Sequence, residues 1–207
     1  MTTLQHAPLS LSSDHPFNGP AIVGLCGYTR SGKDAAAEAL IERGWTRVAV
    51  SDTVLELAAR INPPIRVGGE YQPFNRVLAD RGYTAAKEIP AFLEVLQDVG
   101  IAVRGVLDPD AFVKATMKDL PDRAVFTSVR FPNEARAIVD AGGVIVRVVR
   151  PGVGPANDRA TETSMVDWPV DATIVNDATP DALGWRLIEA VSALTDTEIT
   201  TRVFSIT

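Results

Sequence analysis

One glycine-bounded turn constrains the fold of this chain more than any other feature. The apolar run AIVGLC, which begins at Ala21, has the length of a buried strand, and Gly27 ends it. The pattern KDAAAEALIERG then predicts a helix that ends at Gly44. Between them lies GYTRSGK, whose two glycines and lysine have the spacing of a loop that wraps phosphate groups. The sequence therefore predicts a strand, a phosphate-binding loop and a helix, in that order.

The residues of this loop predict contacts with phosphate for physical reasons. Gly27 and Gly32 allow the backbone to curl so that successive N–H groups point inward. Lys33 adds a charge that reaches the terminal phosphates, and the positive end of the following helix points to the same place. An ordinary strand–helix turn with a surface lysine is the simpler alternative, but it leaves the coincidence of strand, spacing and helix unexplained.

Asp34 stands where a hydroxyl group usually helps to hold magnesium. Its carboxylate could ligate the metal directly or through water, since Mg²⁺ prefers oxygen ligands and keeps several waters. Alternatively, the carboxylate only interacts favourably with the dipole at the start of the helix. The sequence leaves both interpretations open.

Composition narrows the class of ligand. The chain has 207 residues, of which 46% are hydrophobic and 22% charged, so its length and composition suit one globular domain. Its formal net charge of −6 disfavours stable binding to long nucleic acids, because a polyphosphate backbone needs positive charge to neutralise it. Local arginine clusters can still bind small phosphorylated ligands.

The cysteine and histidine content predicts a reducing, intracellular setting. Cys26 is the one cysteine and there are two histidines, so we expect neither an intramolecular disulfide nor a zinc cluster. Cys26 ends an apolar run and is expected to be a small buried residue, not a nucleophile. The chain shows neither a signal-like start nor an apolar run of about 18 residues, which predicts a cytoplasmic protein without membrane contact.

The rest of the chain predicts strands that alternate with helices. The strand candidates are TRVAVS, RAVFTSV, VIVRVV and ATIVN. Helical patterns occur in TVLELAARI, IPAFLEVLQDVGIAVRGV, PDAFVK, NEARAIVDAGG and DALGWRLIEAVSALT. We expect Ser51 or Asp52 to cap the first of these helices, and residues 176–180 to contain the cap of the last. Such alternation is typical of a mostly parallel sheet that helices cover on both faces.

These elements fall in one predicted domain, residues 21–195. Residues 1–20 are rich in Ser, Thr, His and Pro, a composition that predicts a flexible N-terminal arm. We expect residues 196–207 to be a C-terminal tail. Within the domain, we expect residues 63–118 to form helices and loops outside the sheet. The hydrophobic periodicity of this region is weak up to residue 90. The polar run PGVGPANDRATET places a short mobile lid at 150–163.

Several motifs together resemble a known family. RSGKD resembles the phosphate loop of bacteriophage deoxynucleoside monophosphate kinases, a branch of the P-loop nucleoside monophosphate kinases. Later stretches agree with that pattern in order: LQDVG with Arg104, then VRFPNE, then VRP followed by Glu162, Asp171 and Asn176-Asp177. The resemblance covers about residues 21–194.

The resemblance implies a fold, an activity and a set of ligands. It implies a three-layer α/β P-loop fold with a parallel sheet, in which 63–118 bind the acceptor and 150–163 form the lid. It implies transfer of the terminal phosphoryl group of ATP to a deoxynucleoside monophosphate with the help of Mg²⁺, in the host cytoplasm. The nucleotide-binding residues would be Gly27, Thr29, Arg30, Ser31, Gly32, Lys33, Asp34 and Ala35, with Asp34 also the candidate metal ligand. The expected partners are small nucleotides, and a homodimer stays open.

The arginines supply the charge that such a transfer needs. Lys33, Arg130 and Arg150 are the candidate catalytic residues, since both arginines directly follow predicted strands and active sites gather at the carboxyl ends of parallel strands. The resemblance assigns the acceptor to Arg104, Arg130, Glu134 and Arg159, with Arg159 carried by the lid. Glu134 either supports an arginine or contacts the nucleoside, unless it is simply a first-turn helix carboxylate.

The chain also departs from the family pattern. Ser128 stands where an aspartate is frequent, Arg159 replaces a frequent histidine, and the stretch DTVLE lacks a frequent basic residue. These departures leave two alternatives open. One is a P-loop kinase for another acceptor, such as a modified pyrimidine nucleotide or a hydroxymethylated base in DNA. The other is a nucleotide-binding regulatory protein without transferase activity.

Overall fold

The computed structural model describes residues 20–158 and 160–194. Its strands, in chain order, are β1 (Ile22–Cys26), β2 (Thr46–Val48), β3 (Pro64–Val67), β4 (Glu70–Pro73), β5 (Ala124–Phe126), β6 (Val144–Val149) and β7 (Ala172–Val175). Five of them form one sheet in the order β2–β5–β1–β6–β7, and every neighbouring pair in it is parallel. The prediction of a parallel α/β sheet is confirmed.

Helices connect these strands. They are α1 (Lys33–Ile41), α2 (Val50–Ile61), α3 (Phe74–Ala86), α4 (Pro90–Val106), α5 (Ala111–Lys118), α6 (Pro132–Asp140), α7 (Ala160–Thr163) and α8 (Pro180–Ala193). Parallel neighbours cannot be joined by a tight turn, so each connection crosses a face of the sheet and covers it. β1, which directly precedes the glycine-bounded loop, is the central strand.

The two faces of the sheet have separate cores because side chains along a strand alternate in direction. Val23 and Leu25 of β1 pack on one face with Leu183 and Leu187 of α8. Cys26 belongs to the opposite core, which includes residues of α2, α5 and α6. Cys26 is fully buried, as predicted, and burial raises the pKa of its thiol against the opposing effect of the nearby Arg147.

A third core lies in the region 63–118. The rings of Phe74 and Phe92 stack with centroids 4.1 Å apart and hold α3 against α4. The helices expected here are present, but the β3–β4 hairpin was not predicted. Pro64 and Pro73 lie at its ends, where a two-stranded hairpin tolerates residues that cannot donate a ladder hydrogen bond.

Some predicted boundaries were wrong by a few residues. β2 ends at Val48, because α2 already begins at Val50, and no side chain caps α2, so neither Ser51 nor Asp52 is its cap. α1 ends at Ile41 and not at Gly44, which lies in the turn after it. Thr179 caps α8 within the predicted region, since its hydroxyl accepts a hydrogen bond from the N–H of Ala182.

Two predictions fall largely outside the described residues. They concern the N-terminal arm at 1–20, of which the structure describes residue 20 alone, and the C-terminal tail at 196–207. Among the described residues, no helix combines the length and apolar character that crossing a membrane requires.

Candidate functional site

The carboxyl ends of β1, β5 and β6 meet at one cavity of about 220 Å³, which we call the central cavity. Its lining brings together residues from four parts of the chain, among them Gly27, Arg130, Arg147, Arg150 and Glu162. The sequence predicted Arg130 and Arg150 at the ends of parallel strands, and the structure places both at this edge. Their meeting follows from strand order, because β5 and β6 flank β1 on either side.

The loop at 27–32, called the glycine loop below, depends on its two glycines for conformation and for space. Gly27 has φ +134° and Gly32 has φ +103°, values that residues with a Cβ rarely adopt. A Cβ at Gly27 would lie 2.3 Å from the carbonyl oxygen of Val148, and one at Gly32 would lie 2.4 Å from Nδ2 of Asn176. Both positions therefore require glycine.

Arg30 also has a left-handed backbone, with φ +68°. Residues other than glycine seldom adopt this conformation, and where they do the surrounding structure must hold them there. Arg30 and its neighbour Thr29 are exposed at the tip of the loop. The tip of the loop therefore lies at the surface, in a backbone conformation that the surrounding structure has to maintain.

Lys33 directs its ammonium group back into the glycine loop. Nζ donates hydrogen bonds to the carbonyl oxygens of Gly27 and Tyr28, each at 2.8 Å. Burial lowers the pKa of Lys33, and the charge of Arg130 lowers it further, while Asp34 and Glu162 act in the opposite direction. A positive charge thus lies within the curl of the loop and close to Arg130.

Asn176 supports the glycine loop through a hydrogen bond to the backbone of Ser31. Asn176, directly after β7, donates from Nδ2 to the carbonyl oxygen of Ser31 at 2.9 Å. The hydroxyl of Ser31 is buried, and among the described residues it has no hydrogen-bond partner. A Cβ at Gly27 would lie 3.0 Å from this hydroxyl, so it faces the interior of the loop. The sequence placed Asn176 in the family pattern and in the capping region of the last helix, and it did not predict this contact with the glycine loop.

Glu162 of α7 makes direct contact with the glycine loop; the sequence placed it in the family pattern but assigned it no binding or catalytic role. Its carboxylate accepts hydrogen bonds from the N–H of Thr29 at 3.1 Å and from the hydroxyl of Thr29 at 2.5 Å. Burial alone would raise the pKa of Glu162, but the hydrogen bonds from Thr29 and from the backbone of Ala156 outweigh it and lower that pKa. The contact spans 133 positions in sequence, so no local pattern could reveal it.

Glu134 holds the backbone of Arg130. One of its carboxylate oxygens accepts a hydrogen bond from the N–H of Arg130 at 2.7 Å, and Glu134 is only 6% exposed. Burial raises the pKa of Glu134, against the opposing effects of backbone hydrogen bonds from Arg130 and Phe131 and of the charge of Arg104. The side chain of Arg130 donates from Nε to the hydroxyl of Ser128 at 2.8 Å, so Ser128 also positions this arginine.

Arg104 lies in a neighbouring cavity of about 170 Å³, which we call the aromatic cavity. Its guanidinium carbon is 5.2 Å from the ring centroid of Phe112 and 6.0 Å from that of Phe131. Asn133 and Glu134 line the same cavity. The structure therefore brings Arg104 and Glu134, two residues that the resemblance assigned to the acceptor, to one cavity, and the segment 129–134 lies between this cavity and the central one.

Arg147 of β6 is a second residue that sequence reasoning missed. Its Nη2 donates to the carbonyl oxygens of Met165 at 2.7 Å and Trp168 at 2.9 Å, which fixes the segment after α7 beneath the central cavity. Its position inside the apolar run VIVRVV was the available signal, because a charged residue within a buried strand needs hydrogen-bond partners. Arg159 lies outside the described residues.

Asp34 and Ala35 are exposed on the first turn of α1. Both line a groove between α1 and α8, with Asp181 and Trp185 on its other side. They are not among the residues that line the central cavity. Within the described ranges, no three potential metal-ligating side chains lie together.

No protein-family model matches this chain, and none of the curated proteins matches it.

Proposed function

We propose that the protein is an ATP-dependent kinase that phosphorylates a deoxynucleoside monophosphate. One observation carries the proposal. A glycine loop curled around the ammonium group of Lys33 shares a single cavity with Arg130 and Arg150, at the carboxyl ends of parallel strands. Phosphoryl transfer requires mainly alignment of two anionic groups and stabilisation of their charge, which is what this set of residues can supply.

The glycine loop fits the phosphates of a nucleotide. The buried Ser31 hydroxyl has no partner among the described residues, and a phosphate oxygen could supply one. The N–H groups at the start of α1 and the charge of Lys33 favour an anion at the same place. We therefore assign the triphosphate of the donor to the loop, which makes it a P-loop in this proposal.

Magnesium would take few of its ligands from the protein. Mg²⁺ commonly binds one or two carboxylates together with substrate phosphates and water. Asp34 would supply one carboxylate at the start of α1, although it is exposed and lines the α1–α8 groove. When bound, the metal would neutralise charge on the phosphates of the donor.

The chain's own residues act by position and charge. An oxygen of the acceptor phosphate attacks the terminal phosphorus of ATP, the bond to the bridging oxygen breaks, and ADP leaves with that electron pair. The acceptor phosphate is already anionic near neutral pH, so the step requires no protein base. Arg130 and Arg150, which line the central cavity, would stabilise the negative charge on the transferred phosphoryl group. Lys33 would stabilise the same charge from the glycine loop.

The acceptor side is assigned to the segment between the two cavities. Arg130 would face the phosphates in the central cavity while Phe131 and Glu134 line the aromatic cavity with Arg104. A planar base could stack on the partly exposed ring of Phe131, and Arg104 provides charge for a phosphate or a donor for the base. The proposed acceptor therefore spans both cavities.

A panel of all deoxy- and ribonucleoside monophosphates with ATP and Mg²⁺, followed by ADP release, tests the proposal. We expect diphosphate formation from at least one deoxynucleotide, and a large loss of turnover in Arg130→Ala. Arg136→Ala is the matched control, because Arg136 lies on α6 and packs on Trp168 outside the central cavity. Equal loss in both variants would contradict the role of Arg130.

Two other outcomes would identify the alternatives. Transfer of label from ATP to duplex DNA containing a hydroxymethylated base, with no transfer to any monophosphate, would indicate a kinase for another acceptor. Tight ATP binding with no transfer at all would indicate a nucleotide-binding regulator. The exposed position of Asp34, away from the central cavity, is the observation that favours the regulator.

A further inference from the structure

The carboxylate of Glu162 uses both of its oxygens on one residue of the glycine loop. One oxygen accepts from the N–H of Thr29 at 3.1 Å, and the other accepts from its hydroxyl at 2.5 Å. Glu162 thereby joins α7 to the glycine loop.

This contact has the chemistry of phosphate binding. A carboxylate and a phosphate are both anions whose oxygens accept hydrogen bonds from N–H and hydroxyl groups. Positive charge for such an anion comes from Lys33 within the loop and from Arg130 across the central cavity, and each interacts electrostatically with Glu162. Glu162 therefore takes donors that a terminal phosphate on the same loop would need.

We propose that Glu162 is a built-in competitor of the nucleotide, which holds the phosphate-binding groups of Thr29 until a terminal phosphate displaces it. The proposal rests on the assignment of the glycine loop to the donor phosphates. Two anions cannot share these donors, since their repulsion would add to the loss of hydrogen bonds. Part of the binding free energy of ATP is then spent on releasing Glu162, so the apparent affinity equals the intrinsic affinity multiplied by the fraction of molecules in which the loop is free.

A purely structural role for Glu162 makes the opposite prediction. If the carboxylate only holds the glycine loop in its binding conformation, its removal loosens the loop and weakens nucleotide binding. A metal-ligating role also predicts weaker binding of the magnesium complex. The sign of the change in affinity therefore separates competition from support.

The test is equilibrium binding by calorimetry on the full chain, with ATP, AMP and inorganic tripolyphosphate as probes. We expect Glu162→Ala to bind ATP and tripolyphosphate roughly tenfold more tightly than the unmodified protein, by removal of a competing state. AMP, which lacks the terminal phosphates, should change less. Glu162→Gln keeps an acceptor oxygen for Thr29 but loses the charge, so an intermediate gain is expected.

Glu38→Gln is the charge-matched control, because Glu38 is exposed on α1 and lines the α1–α8 groove instead of the central cavity. Thermal unfolding of each variant verifies that it is folded. Unchanged or weaker tripolyphosphate binding in a folded Glu162→Ala variant would overturn the proposal, as would an equal gain in Glu38→Gln. The binding measurement does not depend on phosphoryl transfer. If Glu162→Ala binds tripolyphosphate more tightly but the protein phosphorylates no acceptor, the competitor role of Glu162 is supported and the kinase proposal is contradicted.

Discussion

The carboxylate of Glu134 accepts a hydrogen bond from the main-chain N–H of Arg130 at 2.7 Å. The buried Glu134 therefore fixes the backbone of an arginine that lines the central cavity. Glu134 lies in the first turn of α6, and Arg130 lies before that helix begins. The bond therefore ties the strand-end segment to the helix that follows it. Of the interpretations that the sequence left open, support of an arginine is the one with a direct contact.

Glu134→Ala should cost both stability and turnover. Removal of the carboxylate leaves the part-buried N–H of Arg130 without its acceptor, a loss of about 0.5–1.5 kcal/mol in the free energy of unfolding. Urea denaturation measures this loss, and the proposed transfer reaction should slow because Arg130 is no longer held. The control is Glu94→Ala, an exposed glutamate on α4, which should change neither quantity appreciably.

The buried Glu134 should also make stability depend on pH. Its pKa is raised in the folded protein from the ordinary 4.5, so above that value the folded state binds more protons than the unfolded state. Its contribution to the free energy of unfolding therefore falls as pH rises from about 4.5 through the raised pKa. Across that window, the free energy of unfolding of the unmodified protein, measured by denaturation, should fall relative to that of Glu134→Gln, which cannot titrate. A difference between them that stays constant with pH would contradict this account.

Gly27→Ala should damage the glycine loop far more than a comparable change elsewhere. Gly44 is the matched control, because it also has positive φ (+82°) but has no atom within 4 Å of an added Cβ. Gly44→Ala should cost about 1–2 kcal/mol from backbone conformation alone. At Gly27 the clash with the carbonyl of Val148 adds about 1–3 kcal/mol. If calorimetric unfolding shows the same loss of stability in Gly27→Ala and Gly44→Ala, the added Cβ at Gly27 does not clash with Val148, which would contradict the structure.

Asn176→Asp should weaken ATP binding while leaving a folded protein. The substitution removes the donor to the carbonyl of Ser31 and adds a negative charge behind the glycine loop, so we expect a loss of roughly tenfold or more in affinity. Asn75→Asp is a matched control, since Asn75 makes the same type of bond to the carbonyl of Ala59, far from the loop in sequence. If both variants bind ATP equally, Asn176 does not shape the site.

The local parts of the site could be predicted from the sequence. Glycine spacing, a preceding apolar strand and a following helix identified the loop, and strand ends located Arg130 and Arg150 at one edge. Glu162 and Asn176 reach the loop from distant segments, and their contacts depend on packing that no periodicity encodes. The β3–β4 hairpin was missed because its prolines and paired glycines gave the signals of a loop.

Replacement of Lys33 tests the central claim most directly. Lys33→Met keeps the length of the side chain and removes the ammonium group that lies inside the glycine loop. With terminally labelled ATP, Mg²⁺ and the deoxynucleoside monophosphates, the unmodified protein should produce a labelled diphosphate. The folded Lys33→Met variant should be slower by roughly 10²–10³-fold. Equal rates of label transfer in both proteins, or no labelled diphosphate from the unmodified protein, would contradict the account.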